Sequence, residues 1–158
     1  MKHCNSSMRL TRAADYGVRV MIQLAKLPPY ERALLPDLAK ITDTPVSFLS
    51  KVLQALTHAQ LISSRRGKSG GFSISPRGRG ASMCDVIEAV DGPIFLNVCL
   101  VSGKSCDRKE SCLAHPVWGR AQTAMLQVLR STAIIDLAQP REAPLDAAHD
   151  ALMMASGA

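Results

Sequence analysis

Between residues 45 and 76 the chain carries a pattern that few folds accommodate. An amphipathic helix with a carboxylate-free polar face is followed by two short strands joined through Arg65-Arg66-Gly67-Lys68-Ser69-Gly70-Gly71. Over 45–60, Phe48, Leu49, Val52, Leu53, Ala55, Leu56 and Ala59 recur at helical spacing and make the buried side. Ser47, Ser50, Lys51, Gln54 and His58 fall at offsets of 0, 3, 4, 7 and 11 and make one polar stripe without an Asp or Glu. Hydroxyls, an amide and an ammonium group can donate to phosphates and to base edges. Residues 61–64 and 72–75 read as strands, the second ended by Pro76. The glycines between them remove bulk, and Arg65, Arg66 and Lys68 supply charge, so the tip can approach a sugar–phosphate backbone closely. It is not a nucleotide-binding loop, because it lacks the GxxxxGK[ST] order and joins two strands rather than a strand and a helix.

Upstream, 12–27 reads as a helix with Ala13, Tyr16, Gly17, Val20, Leu24 and Leu27 on one face, capped by Thr11 or Ser7 and stopped by Pro28-Pro29. A second short helix spans 34–41, with Leu35, Leu38 and Ala39 inward. Thr42-Asp43-Thr44-Pro45 is a turn, with Thr44 placed to cap the next helix and Pro45 suited to its first position. Two short helices, a tight turn and a basic hairpin spell a winged helix-turn-helix, a mainly α fold with one small β-hairpin.

Charge supports that reading. Residues 1–80 hold thirteen Lys/Arg and four Asp/Glu, a net of +9, whereas 81–158 hold six and nine, a net of −3. A basic front half suits a polyanion. The 158 residues are enough for one domain with a real core. At 4% aromatic, the composition argues against a β-sandwich core or a single-strand stacking platform. Arg19 and Lys26 interrupt the most apolar early segment, so no membrane span is expected, and the first residues hold no signal core. A cytoplasmic protein follows. No Ser-His-Asp pattern, paired acidic motif or nucleotide loop points to an enzyme.

Residues 83–90 form another short helix, with Val86, Ile87 and Val90 inward, ended by Asp91-Gly92-Pro93. Residues 94–116 lack periodicity. Pro116 opens a last long helix running to about Ser131, with a stripe of Val117, Ala121, Ala124, Met125, Val128 and Thr132, widened by Leu126 and Leu129. That stripe is too broad for one small domain to cover, and pairing with a second copy is its natural use. The expected organisation is an extension over 1–7, a DNA-binding domain over 8–80, a loop and dimerisation helices over 81–138, and a flexible tail over 139–158.

Five cysteines are present: Cys4, Cys84, Cys99, Cys106 and Cys112. An odd count in a reducing compartment is no disulfide framework. Six residues separate Cys99 from Cys106, five separate Cys106 from Cys112, and His115 follows Cys112 by three. No CxxC pair exists, which disfavours a zinc ribbon or thioredoxin-like chemistry. Three thiolates spread over an irregular loop can wrap an iron–sulfur cluster, completed by a fourth, non-cysteine ligand. Lys104, Arg108 and Lys109 lie between the cysteines and favour thiolates. The alternative is a zinc-bound or thiol-redox regulator using the same Cys3His set.

Several segments together resemble the iron–sulfur winged-helix repressor family typified by the IscR and NsrR proteins of bacteria. Met8-Arg9-Leu10-Thr11 with Ala14-Asp15-Tyr16-Gly17-Val18-Arg19 is similar to the family's first helix. Arg66-Gly67-Lys68-Ser69-Gly70-Gly71-Phe72 is similar to its wing, and Asp85-Val86-Ile87-Glu88-Ala89-Val90-Asp91-Gly92 to the helix before the cluster. Cys99, Cys106 and Cys112 match the three cluster cysteines. The resemblance implies a homodimer on a pseudo-palindromic double-stranded operator, sensing iron–sulfur status, nitric oxide or redox stress. His115 matches the Cys-x-x-His arrangement tied to a [2Fe–2S] cluster. Asp15 matches the position from which a carboxylate crosses the dimer to a [4Fe–4S] cluster. His115 is local and needs no partner chain, so it and [2Fe–2S] are preferred. The expected DNA contacts are Ser47, Phe48, Ser50, Lys51, Gln54, Arg65, Arg66, Gly67, Lys68, Ser69 and Gly70.

Overall fold

Helix α1 (Arg12–Lys26) is the element the others pack around. Thr11 caps it: its Oγ1 accepts from the Ala14 N–H at 3.2 Å and donates to the Asp91 carboxylate at 2.7 Å. The Asp91 carboxylate therefore lies against the positive end of α1. The computed structural model describes residues 10–67, 70–101, 106 and 111–139. The proposed extension over 1–7, including Ser7 and Cys4, and residues 140–158 of the proposed tail lie outside that set. So do Lys68, Ser69, Lys104, Arg108 and Lys109.

The buried face of α1 is wider than the expected stripe and differs in membership. Ala14, Gly17, Val18, Val20, Met21, Leu24 and Ala25 are buried, while Ala13, Tyr16 and Leu27 are only half-buried. The reason is that α1 is covered from several sides: by α3 (Val46–His58), by α5 (Met83–Asp91) and by α7 (Ile134–Leu137). One core results, running from Ala14 through Leu38, Leu53 and Val86 to Ile134.

Helix α2 (Leu35–Ile41) turns into α3 through two buried threonines. Thr42 Oγ1 donates to the Leu38 carbonyl at 2.7 Å, the two hydroxyl oxygens lie 3.1 Å apart, and Thr44 donates to the Thr42 carbonyl at 3.2 Å. Thr44 therefore does not cap α3. Pro45 holds the N-cap position with no side-chain hydrogen bond, because the Thr44 hydroxyl is turned into the turn itself.

Strands β1 (Ile62–Arg65) and β2 (Gly71–Ile74) pair antiparallel, Ile62 opposite Ile74 and Arg65 opposite Gly71. Sequence pattern misses that Ala33, before α2, extends this hairpin. It exchanges two backbone hydrogen bonds with Phe72, both 2.9 Å. Gly71 makes the approach possible, since it has φ 120 and a β-carbon there would stand 2.7 Å from the Ala33 oxygen. A single turn, α4 (Pro76–Arg79), follows the hairpin, capped by Ser75. It lies against the end of α3: Ser75 Oγ donates to the Gln60 carbonyl at 2.6 Å. A β-carbon at Gly78 would collide with the Leu61 carbonyl.

Helix α5 begins with a capping box, Ser82 and Asp85 bonding each other's backbone N–H groups. After a 3-10 turn at Val98–Leu100 comes α6 (His115–Ser131), 17 residues with none buried. The chain then doubles back. Met83 N–H donates to the Thr132 carbonyl at 2.8 Å and Ile134 N–H to the Ala81 carbonyl at 3.0 Å. This short antiparallel clasp fastens the end of α6 to the start of α5 and drives Ile134 into the core. Among the described residues no helix is long and apolar enough to cross a membrane.

Candidate nucleic-acid interface and cysteine loop

Helix α3 is oriented by its apolar side. Leu49, Val52, Leu53 and Leu56 are buried against α1, α2 and α5, which turns the opposite stripe outward. Ser47, Lys51, Gln54 and His58 are exposed and Ser50 is half-buried, so the five expected residues form one outward face. Phe48 is not part of the buried side. It is 39% exposed, with its ring edge-on to Tyr16 at 5.6 Å between centroids. Its place in the first turn sets it beside the stripe rather than beneath it.

The hairpin presents Arg65, Arg66 and Gly67 to solvent. Gly70 is buried where the chain closes the tip, its N–H donating to the Gly67 carbonyl at 2.8 Å. Lys68 and Ser69, expected at the same tip, are outside the described residues. Two cations escaped sequence reasoning. Arg32 reaches the root of the hairpin, donating to the Gly71 carbonyl at 3.3 Å. Arg77 is exposed on α4, immediately after β2. The run Pro76-Arg77-Gly78-Arg79 was the available signal for the second.

The cysteine loop is anchored to α6 by the Leu96 N–H, which donates to Gln122 Oε1 at 3.0 Å. Cys99 sits in the 3-10 turn, and Cys99, Cys106 and Cys112 are all free and partly exposed. His115 opens α6, with its N–H on the Cys112 carbonyl at 3.1 Å. Its Nδ1 is buried and, among the described residues, has no hydrogen-bond partner. Among the described residues no three Cys, His, Asp or Glu side chains share a position that could hold a metal ion. The donor chemistry of three thiols and one orphaned imidazole nitrogen nonetheless suits an iron–sulfur cluster or zinc. Asp15, the alternative ligand, is on the exposed side of α1 and pairs with Arg19 at 2.9 Å. Cys84 is fully buried; burial pushes its thiol above the ordinary range and Glu88 adds to the shift, the reverse of a reactive or ligating thiol.

A helix-turn-helix with an acid-free second helix beside an Arg-bearing hairpin defines a winged-helix DNA-binding protein. The chain belongs to the Rrf2 family, described as an iron-dependent transcriptional regulator, which its residues 10–140 match. It is 30% identical over 131 residues to a candidate helix-turn-helix regulator of Mycobacterium tuberculosis H37Rv, covering 83% of this chain and 81% of that one. It is 27% identical over 135 residues to the regulator IscR of Vibrio cholerae, covering 85% and 78% of the two chains. Among solved structures, CymR, the global cysteine regulator of Bacillus subtilis, superposes with a TM-score of 0.66 at 27% identity, covering 82% of this chain and 95% of that one. Proteins of this family are transcriptional regulators and not enzymes.

Proposed function

We propose that this protein is a homodimeric, cytoplasmic regulator, acting as a repressor, that binds a pseudo-palindromic operator and senses iron–sulfur status, nitric oxide or redox stress. Ser47, Phe48, Ser50, Lys51 and Gln54 face the major groove, and Arg65 to Gly70 contact the backbone. The sensing centre is Cys99, Cys106, Cys112 and His115, with [2Fe–2S] preferred to [4Fe–4S]. The observation that carries it is the His115 Nδ1, buried three residues after Cys112 without a partner among the described residues. A buried imidazole nitrogen left unpaired is costly unless something binds it. Asp15 of a partner chain is the weaker fourth ligand, since His115 is local to the cysteines and needs no second chain. When bound, a cluster supplies redox chemistry and an iron open to nitric oxide or oxidant. The chain's own part is to hold the thiolates and His115 at the start of α6. A second reading keeps the same residues in a zinc-bound or thiol-redox regulator without a cluster; the similar CymR is described as a global cysteine regulator rather than an iron–sulfur one.

Anaerobic purification separates the two. The expected sample is coloured, holds iron and sulfide, and loses both in Cys106→Ala and His115→Ala. A colourless sample, with or without zinc, selects the second reading. Equal affinity of cluster-loaded and cluster-free protein for one promoter at fixed salt would remove the sensing role.

A further inference from the structure

The outward side of α3 holds two large side chains that can donate nothing, Val46 and Phe48, and of these Phe48 has its ring fixed by a neighbouring ring. Phe48 stands in the first turn, next to Ser47 and one turn before Lys51, and stays 39% exposed. The core does not account for it: Leu49, Val52, Leu53 and Leu56 fill the buried positions of the helix. Its ring is set by Tyr16 of α1, with centroids 5.6 Å apart and planes at 79°, the edge-to-face arrangement that aromatic pairs prefer. The structure thus fixes an apolar ring, beside the smaller Val46, at a surface otherwise built of hydroxyls, an amide, Lys51 and His58.

The first residues of a groove-reading helix are those that meet base edges. In the major groove every base-edge feature is a donor or an acceptor except the C5 methyl of thymine. Helix α3 has no carboxylate to accept from a cytosine amino group. Its donors suit acceptor edges, and Phe48 suits the methyl. We infer that Phe48, positioned by Tyr16, is a specificity-determining residue that reads a thymine methyl group. The inference rests on the DNA-binding reading above and adds which base feature one residue recognises.

The test uses the full chain and a random duplex library. Duplexes retained by the protein are sequenced, and each thymine of the enriched duplex is replaced in turn by deoxyuridine, which lacks only the methyl. Burial of one methyl predicts a loss of about fourfold in affinity at the contacted position. Phe48→Ala should bind the thymine and deoxyuridine duplexes equally, and Phe48→Leu should keep part of the discrimination. Two outcomes overturn the inference: a wild-type protein indifferent to every replacement, or a discrimination that survives unchanged in Phe48→Ala. If Phe48→Ala fails to fold, Phe48→Leu decides, by whether its thymine-over-deoxyuridine preference falls below that of the wild type. A library from which no sequence is enriched removes the DNA-binding reading and this inference together, which distinguishes the two failures.

Discussion

Single residues decide whether the wing and the helix-turn-helix meet. Gly78 sits with the Leu61 carbonyl where a side chain would begin, so a methyl group there meets backbone that no rotamer change can move. Gly78→Ala should destabilise the protein by about 2–3 kcal/mol, read from the midpoint of urea unfolding. Asp85 acts through pH. The Ser82 hydroxyl and backbone N–H donate to its carboxylate and hold its pKa below the ordinary value. A lowered folded-state value means its contribution is complete above the ordinary aspartate range and is lost as pH falls through the lowered value. Asp85→Asn should therefore flatten the acid limb of a melting-temperature profile while changing little in the neutral range beyond a constant offset. Sequence pattern found Ser47, Lys51 and Gln54 because their spacing leaves one face. It misplaced Thr44, whose hydroxyl had two local backbone uses and no periodicity to choose between them. It also placed Phe48 on the buried side, since a half-covered ring and a core ring look alike in a string of letters.

Elements longer than about two turns were legible, and their ends fell within two residues of expectation. Repetition carries that signal: the 13 residues of α3 repeat their apolar spacing several times. The four-residue helices α4 and α7 contain no full repeat, so only packing creates them. Ala33 is a strand residue solely because Phe72 comes to meet it. The two halves of the proposed DNA face should answer differently to mutation. Arg66→Ala should weaken binding to all duplexes alike and reduce the slope of log affinity against log salt by about 1. Lys51→Ala, on the stripe proposed to read bases, should cost about 1–3 kcal/mol on the preferred duplex and relax discrimination at one position. A titration of both variants against specific and random duplexes over a salt series would show it. Equal salt slopes would place Arg66 away from the phosphates.

The whole molecule has a covered side and an uncovered one. Leu129 joins the core from α6, while Val117, Trp118 and Val128 remain outward, Val128 at 64% exposure. The broad stripe seen in the sequence thus corresponds to an apolar face of α6 left open in the single chain, the face proposed to pair with a second copy. Val128→Glu should shift the sedimentation of the protein from two chains to one while its unfolding midpoint at low concentration stays within about 0.5 kcal/mol. A variant that remains two chains would move the pairing surface elsewhere. The cysteine loop was legible as donors and spacing. The uncompensated His115 nitrogen was not, because burial of a single atom depends on how α6 meets the loop.

The clasp between residues 81–83 and 132–134 has a consequence for synthesis. The helix-turn-helix and hairpin leave the ribosome first, yet the α1 face that Ile134 covers stays open until that residue follows. At cellular elongation rates the interval is on the order of several seconds. Throughout it the first half is an unfinished core, visible to chaperones and proteases. A chain broken off before Ile134 is left in that state permanently.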